Sequence, residues 1–266
     1  MAVILVIPAR YASARFPGKP LAELRGATGE ARSLIRRTWD AACAVPEADR
    51  VLVATDSAEI ARAVEAFGGE IMMTPDTARN GTERCAMVAA EICREADIVV
   101  NLQGDAPLTP PWFVSDLVAA MRTDPDAAVA TPVLRCDSEA LESFRADRRA
   151  GRVGATTVVF GQGGAALYFS KEIVPFTGDG PDISGPIPVF HHVGVYAYTS
   201  AALRSYRDHS PGVLERAEGL EQLRFLENGI GVRCVEVESR GRVFWEVNNP
   251  EDIPRVEAVL ARLGMP

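Results

Sequence analysis

A six-residue apolar run at residues 2–7, rich in β-branched side chains and stopped by Pro8, constrains this chain more than any other stretch. It is too short to cross a bilayer or to serve as a secretory core, so it reads as a fully buried strand. The segment after Pro8 must be a loop. Arg10, Arg15 and Lys19 bring three cations into it, and Ala9, Ala12, Ser13, Ala14 and Gly18 keep its side chains small enough for the backbone to close on a ligand. Ligands of open α/β sheets bind beyond the carboxyl ends of strands. The loop is therefore either an anion site or a solvated basic turn, and charge alone leaves both readings open.

Downstream, the pattern alternates. Residues 33–44 carry Leu34, Ile35, Thr38, Trp39, Ala42 and Cys43 at helical spacing. Residues 50–56 form a strand, and residues 57–67 a helix capped by Ser57 and closed by Gly68 and Gly69. A strand at 70–73, a helix from about Thr82, a strand over 97–105, a helix over 110–123 and a strand over 127–134 continue the series. Such alternation builds an α/β fold, a Rossmann-like, mostly parallel sheet flanked by helices. From 136 to 199 it breaks down. Strand-like pieces at 152–160, 165–169 and 191–198 lie between Gly- and Pro-rich loops, which predicts a smaller antiparallel excursion suited to substrate capture or subunit pairing. Residues 214–229 read as one amphipathic helix with a solvated acidic face, and a strand at 231–237 and a last helix to residue 263 complete the chain.

With 266 residues, the chain fits one large α/β domain, 1–266, bearing the excursion. Its net charge of −8 argues against a nucleic-acid partner, since coating phosphates needs a broad basic face. Any anionic ligand must be met by cations gathered locally, as in the opening loop. The five cysteines are odd in number and scattered, without C-x-x-C spacing, which predicts reduced thiols and a cytoplasmic location. Neither a membrane span nor a signal peptide is expected.

Two further places have site chemistry. The strand over 97–105 ends in Gln103-Gly104-Asp105, which delivers a carboxylate to the sheet edge where the cationic loop begins. Asp105 can hold a magnesium ion against phosphate oxygens, or it can cap the helix that starts near residue 110. Gly81 and Thr82 open a helix, where free N–H groups suit a phosphate or a base, or serve as a plain N-cap.

The segment IPARYASARFPGKPLA, residues 7–22, closely resembles the opening signature of the CMP-sugar-acid synthetases, most of all the 3-deoxy-manno-octulosonate (Kdo) cytidylyltransferases. The resemblance implies a sheet of the nucleotide-diphospho-sugar transferase type and a phosphate loop in which Arg10, Arg15 and Lys19 hold the triphosphate of CTP. It assigns nucleotide contacts to Ala9, Ser13, Gly81, Thr82, Arg84 and Gln103. It makes Asp105 a magnesium ligand and, with the three loop cations, part of the catalytic set. Tyr168, His192, Tyr196, Glu221 and Gln222 fall in segments that resemble the family's sugar-binding elements, ALYFS, HHVGVYAY and LEQLR. Of the adjacent His191 and His192 only one can face the pocket.

Departures from the family pattern gather at the metal and sugar end. Ala106 stands where relatives have Glu, Lys171 where they have Arg, and residues 152–159 replace a Val-Lys-Val-Val run. Asn248 stands where relatives carry the second magnesium-binding Asp; its neutral oxygen can coordinate but adds no charge. Glu246 shares a face with Asn248 if the segment is extended, and can stand in if the register allows. The implied function is transfer of CMP from CTP to Kdo with release of pyrophosphate, for lipopolysaccharide or capsule synthesis, with Mg2+ as cofactor and a homodimer as the assembly. The alternatives are the same transfer to another sugar acid, such as an amino-modified Kdo, or a nucleotide-binding homologue that has lost turnover.

Overall fold

The computed structural model describes residues 1–13, 15–152, 155–178, 185–242 and 244–266. In β1 (Val3–Ala9) successive side chains enter two different cores, as a strand buried on both faces requires. A short hairpin comes next, β2 (Glu23–Arg25) with β3 (Ala31–Ser33), then α1 (Leu34–Cys43), β4 (Arg50–Thr55), α2 (Ala58–Glu65) and β5 (Ile71–Met73). The chain goes on through α3 (Gly81–Ile92), β6 (Ile98–Leu102), α4 (Pro111–Thr123), β7 (Val129–Arg135) and α5 (Ser138–Arg149). After these lie β8 (Thr156–Phe160), β9 (Ala166–Ser170), β10 (Phe190–His192) and β11 (Val195–Thr199). Helices α6 (Ser200–Asp208), α7 (Val213–Glu218) and α8 (Leu223–Glu227), strand β12 (Val232–Glu236) and α9 (Ile253–Arg262) finish it.

Ten strands make one mixed sheet in the order β5-β4-β1-β6-β11-β7-β10-β8-β9, with β12 beside β7. The β5-β4-β1-β6 half is parallel and carries the expected strand and helix alternation. Val3, Leu5 and Ile7 of β1 pack with Ile35 of α1, Ile60 of α2 and Phe113 of α4. Ile4 and Val6 face Cys85 and Val88 of α3 and Leu203 and Tyr206 of α6. A third cluster joins α9 to the hairpin through Leu24, Val247, Val256 and Leu260.

Five local readings need correction. The hairpin β2–β3 falls where a plain loop is expected, because Leu24 is fully buried between α9 and α1 and pulls the segment onto the fold. Helix α5 lies at the start of the excursion and was not anticipated; only Leu141 is buried along it, so its apolar periodicity is too thin to read. The strand expected over 191–198 runs along β7 but breaks at Val193 and Gly194, with two extra residues between the pairs His192↔Val133 and Ala197↔Ala130. The break marks a change of outer neighbour, β8 for β10 and β6 for β11. The single helix expected over 214–229 is two short ones, because Gly219 takes the left-handed conformation (φ +63°) and ends α7. Of the strand expected over 152–160, only β8 is regular, and residues 153–154 lie outside the described residues, as does Ala14 of the opening loop.

Candidate active site

From β1 the sheet continues to β4 on one side and to β6 on the other, so a crevice forms beyond the carboxyl ends of β1 and β6. The loop after β1, the start of α3 and the turn after β6 meet there around a cleft of about 370 Å3. Ala9, Arg10, Ser13, Arg15 and Lys19 line it from the first segment, Gly81 and Arg84 from the second, and Gln103, Gly104 and Asp105 from the third. Glu221, just before α8, closes one end.

Asp105 does not cap a helix: α4 has Pro110 at its N-cap and no side-chain capping bond. Its carboxylate is instead paired with the Lys19 ammonium at 2.5 Å. Arg15 reaches the other way and donates to Oδ1 of Asn248 at 3.4 Å. Arg10 is exposed and makes no ion pair among the described residues. Ser13 accepts a hydrogen bond from the Phe16 N–H at 3.4 Å, which shapes the loop. The loop cations and the Asp105 carboxylate thus share one cleft, with Lys19 in contact with Asp105.

The second wall is built by α3. Its N-cap is Asn80, whose Oδ1 accepts from the Glu83 N–H at 2.8 Å, so Gly81 and Thr82 are free of that duty. A Cβ on Gly81 would lie 3.0 Å from Nε2 of Gln103 and 3.1 Å from Nδ2 of Asn101, so any larger residue would have to push these amides aside by a few tenths of an ångström. The Thr82 hydroxyl bonds Tyr198 at 2.8 Å, and its N–H donates to Glu221 at 3.3 Å. Arg84 is buried and clamped by Asp56 at 3.0 Å and by the Thr74 hydroxyl. Gln103 donates to Glu221 at 3.5 Å.

Glu221 is the titratable group of this wall. Burial pushes its carboxyl up to about 7, against the hydrogen bonds from Thr82 that favour the anion. The folded protein thus holds a proton that the unfolded chain loses near 4.5, and stability falls as pH rises from about 4.5 to about 7. Glu221→Gln removes that loss. Between pH 5 and pH 8 the native protein should lose on the order of 2 kcal/mol relative to the variant, the full shift being discounted for access to cleft water. Urea unfolding at the two pH values checks this, and parallel curves for the two proteins would contradict it.

The remaining residues sit behind or beside the cleft. His192 is buried, bonded to the Thr131 hydroxyl at 3.0 Å and packed on Phe169 and Tyr196; burial lowers it to about 3, so it is neutral. His191 is turned to the opposite side, against Phe144 and Phe244. Tyr196 donates to Gln222 at 3.2 Å, leaving the buried Nε2 of Gln222 without a partner among the described residues. Tyr168 donates to Glu218 at 3.2 Å on the far side of β9. Asn248 does not line the cleft but is tied to its rim through Arg15.

Sequence reasoning passed over several neighbours. Arg79 and Asn80 line the cleft, and Asn101 lies fully buried beneath Gly81 with an unpaired Oδ1 among the described residues. An Asn inside the apolar run of β6 is the signal that was available for it. Glu246, the stand-in that the sequence offered for Asn248, flanks Val247, whose N–H donates to the Asp105 carbonyl oxygen, and its carboxyl is pushed up to about 7 by burial first and then by the Asp105 charge, with Lys19 and Asn248 acting in the other direction.

Arg224 was missed as a structural anchor. It is 1% exposed, forks onto Glu215 at 2.6 and 2.7 Å, reaches Glu83 at 2.9 Å and stacks on Tyr206 at 3.9 Å. Burial alone would raise the Glu83 carboxyl, but the bonds from Arg79 and Arg224 outweigh it and hold it below the usual carboxylate range. This buried knot locks α7 and α8 to α3, and so sets Glu221 against Thr82.

An open α/β sheet with a cation-lined crevice at the carboxyl ends of neighbouring parallel strands is the architecture of nucleotide-binding α/β proteins. The Cytidylyltransferase family profile matches residues 4–238. A 3-deoxy-manno-octulosonate cytidylyltransferase of Maricaulis maris is 46% identical over 99% of both chains. Its counterpart from Chlamydia pneumoniae is 39% identical over 97% of this chain and 94% of its own. A solved CMP:2-keto-3-deoxy-manno-octonic acid synthetase, complexed with CTP, superposes with a TM-score of 0.83 at 33% identity, covering 99% of this chain and all of the other. The chain belongs to the 3-deoxy-manno-octulosonate cytidylyltransferase family. The fold extends further: a 4-diphosphocytidyl-2C-methyl-D-erythritol synthase from Anaerococcus prevotii superposes with a TM-score of 0.58 at 14% identity over 97% of this chain and 96% of its own.

Proposed function

We propose that this chain transfers CMP from CTP to 3-deoxy-manno-octulosonate, a step that serves lipopolysaccharide or capsule synthesis. One observation carries the reading: Arg10, Arg15, Lys19 and Asp105 line the same cleft, with the start of α3 as its second wall. In the reaction a hydroxyl oxygen of the sugar acid bonds to the α-phosphorus. The bond from that phosphorus to the bridging oxygen of the β-phosphate breaks, pyrophosphate leaves with the electron pair, and the hydroxyl proton passes to solvent. Chemistry of this kind asks the protein for in-line placement and for positive charge around the phosphates.

In this reading the loop cations hold the triphosphate, with Ala9 and Ser13 beside them, while Gly81, Thr82, Arg84 and Gln103 position the nucleotide. Glu221 and Gln222, backed by Tyr196, His192 and Tyr168, shape the acceptor end. Magnesium suits the end of the cleft where the Asp105 carboxylate pairs with Lys19 and where the Val247 N–H, bonded to the Asp105 carbonyl oxygen, carries Glu246 and Asn248 past it. Asp105 and the segment of Asn248 would hold the ion, which when bound supplies positive charge to the phosphates.

A homodimer and a cytoplasmic location belong to the same reading. The sheet ends at β9, and Leu167 and Phe176 near that edge are 67% and 93% exposed, which suits a face covered by a second copy. All five cysteines are free, and among the described residues no helix is long and apolar enough to cross a membrane. Incubation with CTP, Mg2+ and a panel of sugar acids tests the function. Pyrophosphate release with Kdo and a product of CMP-Kdo mass are expected. CTP binding without turnover on any acid would contradict the reading.

A further inference from the structure

The segment 245–248 carries Glu246 and Asn248 past Asp105, and its backbone fixes which way each one faces. The Val247 N–H donates to the Asp105 carbonyl oxygen at 2.9 Å, and the Val247 side chain is fully buried among Leu24, Val256 and Leu260. Its two neighbours are both partly exposed, on the side away from that cluster. Register thus brings both residues to the Asp105 end of the cleft.

Their chemistry then separates them. The Asn248 amide oxygen accepts from Arg15 at 3.4 Å and is thereby already engaged. Glu246 Oε1 lies 3.1 Å from where a Cβ on Gly194 would be, a point that is also 3.9 Å from Cγ of Gln103, so the carboxylate reaches under the turn between β10 and β11 toward the floor of the cleft. The Val247 bond to the Asp105 backbone and the reach of Glu246 toward Gly194 thus bring the Glu246 carboxyl to the end of the cleft where Asp105 pairs with Lys19.

We propose that Glu246, rather than Asn248, is the second protein ligand of the divalent cation in this chain, and that Asn248, whose oxygen is taken up by Arg15, supplies none. The inference rests on the reading of the cleft as a metal-assisted cytidylyl-transfer site. It accounts for the neutral residue at 248. An Asp there would add a second anion on the same face as Glu246, where like charges disfavour each other, whereas an amide adds none. The ligand charge has moved two residues along one face of the segment.

The test is Mn2+ binding, followed through the electron paramagnetic resonance signal of the free ion, with and without CTP, in the native protein, Glu246→Gln, Asn248→Ala and the double variant Glu246→Gln/Asn248→Asp. Native protein should bind Mn2+, and Glu246→Gln should weaken binding at least tenfold. Asn248→Ala should weaken it less than threefold, and the double variant should recover most of the loss. The proposal is overturned if Glu246→Gln binds as the native protein does, if Asn248→Ala loses as much as Glu246→Gln, or if the native protein binds no Mn2+. CTP binding and pyrophosphate release by the native protein are measured alongside. Their failure would overturn the transfer reading itself, whereas native turnover with unchanged Mn2+ binding in Glu246→Gln would overturn only the ligand assignment.

Discussion

Lys19→Ala should lower kcat/KM for CTP by about 10²-fold or more, while leaving the fold within about 1 kcal/mol of native stability. The first figure is the usual loss when one preorganised charge donor is removed from a site where negative charge develops. The second comes from the setting of the pair, because the side chains of Lys19 and Asp105 keep 15% and 23% of their exposure, and ion pairs in contact with water add little. Initial rates of pyrophosphate release against CTP concentration, together with urea unfolding of the same preparation, separate the two effects. Lys19→Arg keeps the charge and should recover part of the loss. A variant as active as native protein would remove Lys19 from the phosphate site.

Arg224→Met should cost about 3–5 kcal/mol, the range seen when one partner of a buried charge network is removed and the carboxylates are left behind. Glu215 loses both forked bonds, and Glu83 keeps only Arg79. For a chain of this length, that loss lowers Tm by roughly 10 °C. The acceptor KM should also rise, since α8 loses its tie to α3 and Glu221 its fixed position against Thr82. Thermal unfolding and acceptor kinetics on the same variant check the two parts, and a Tm within two or three degrees of native would contradict the role given to the network.

Where local pattern determined the structure, the sequence was readable. β1 and the helices on the parallel half announce themselves through apolar spacing, and Ser57 caps α2 by accepting from the Ile60 N–H as its position suggests. The loop cations and Asp105 were legible because motif spacing set them at the ends of adjacent strands. What escaped was decided by distant partners. The acidic run of 214–229 reads as a solvated face, yet Glu215 is buried because Arg224 lies nine residues away and pairs with it. Glu83 lies 141 residues from Arg224, so no window of sequence shows that they meet. That Glu246 and Asn248 both turn toward Asp105 depends on the burial of Val247 against α9 and the hairpin, a contact among three separate parts of the chain. Tyr168, His192, Tyr196 and Gln222 fall in motifs that carry the family resemblance but do not line the cleft.

The account depends on the loop after β1, the start of α3 and the turn after β6 closing on one nucleotide. Hydrogen exchange with and without CTP tests this most directly. Amides in segments 9–19, 81–84 and 103–105 should slow together when CTP binds, and the face of α5 should stay unchanged. Protection confined to one of the three segments, or found on the opposite side of the sheet, would contradict it.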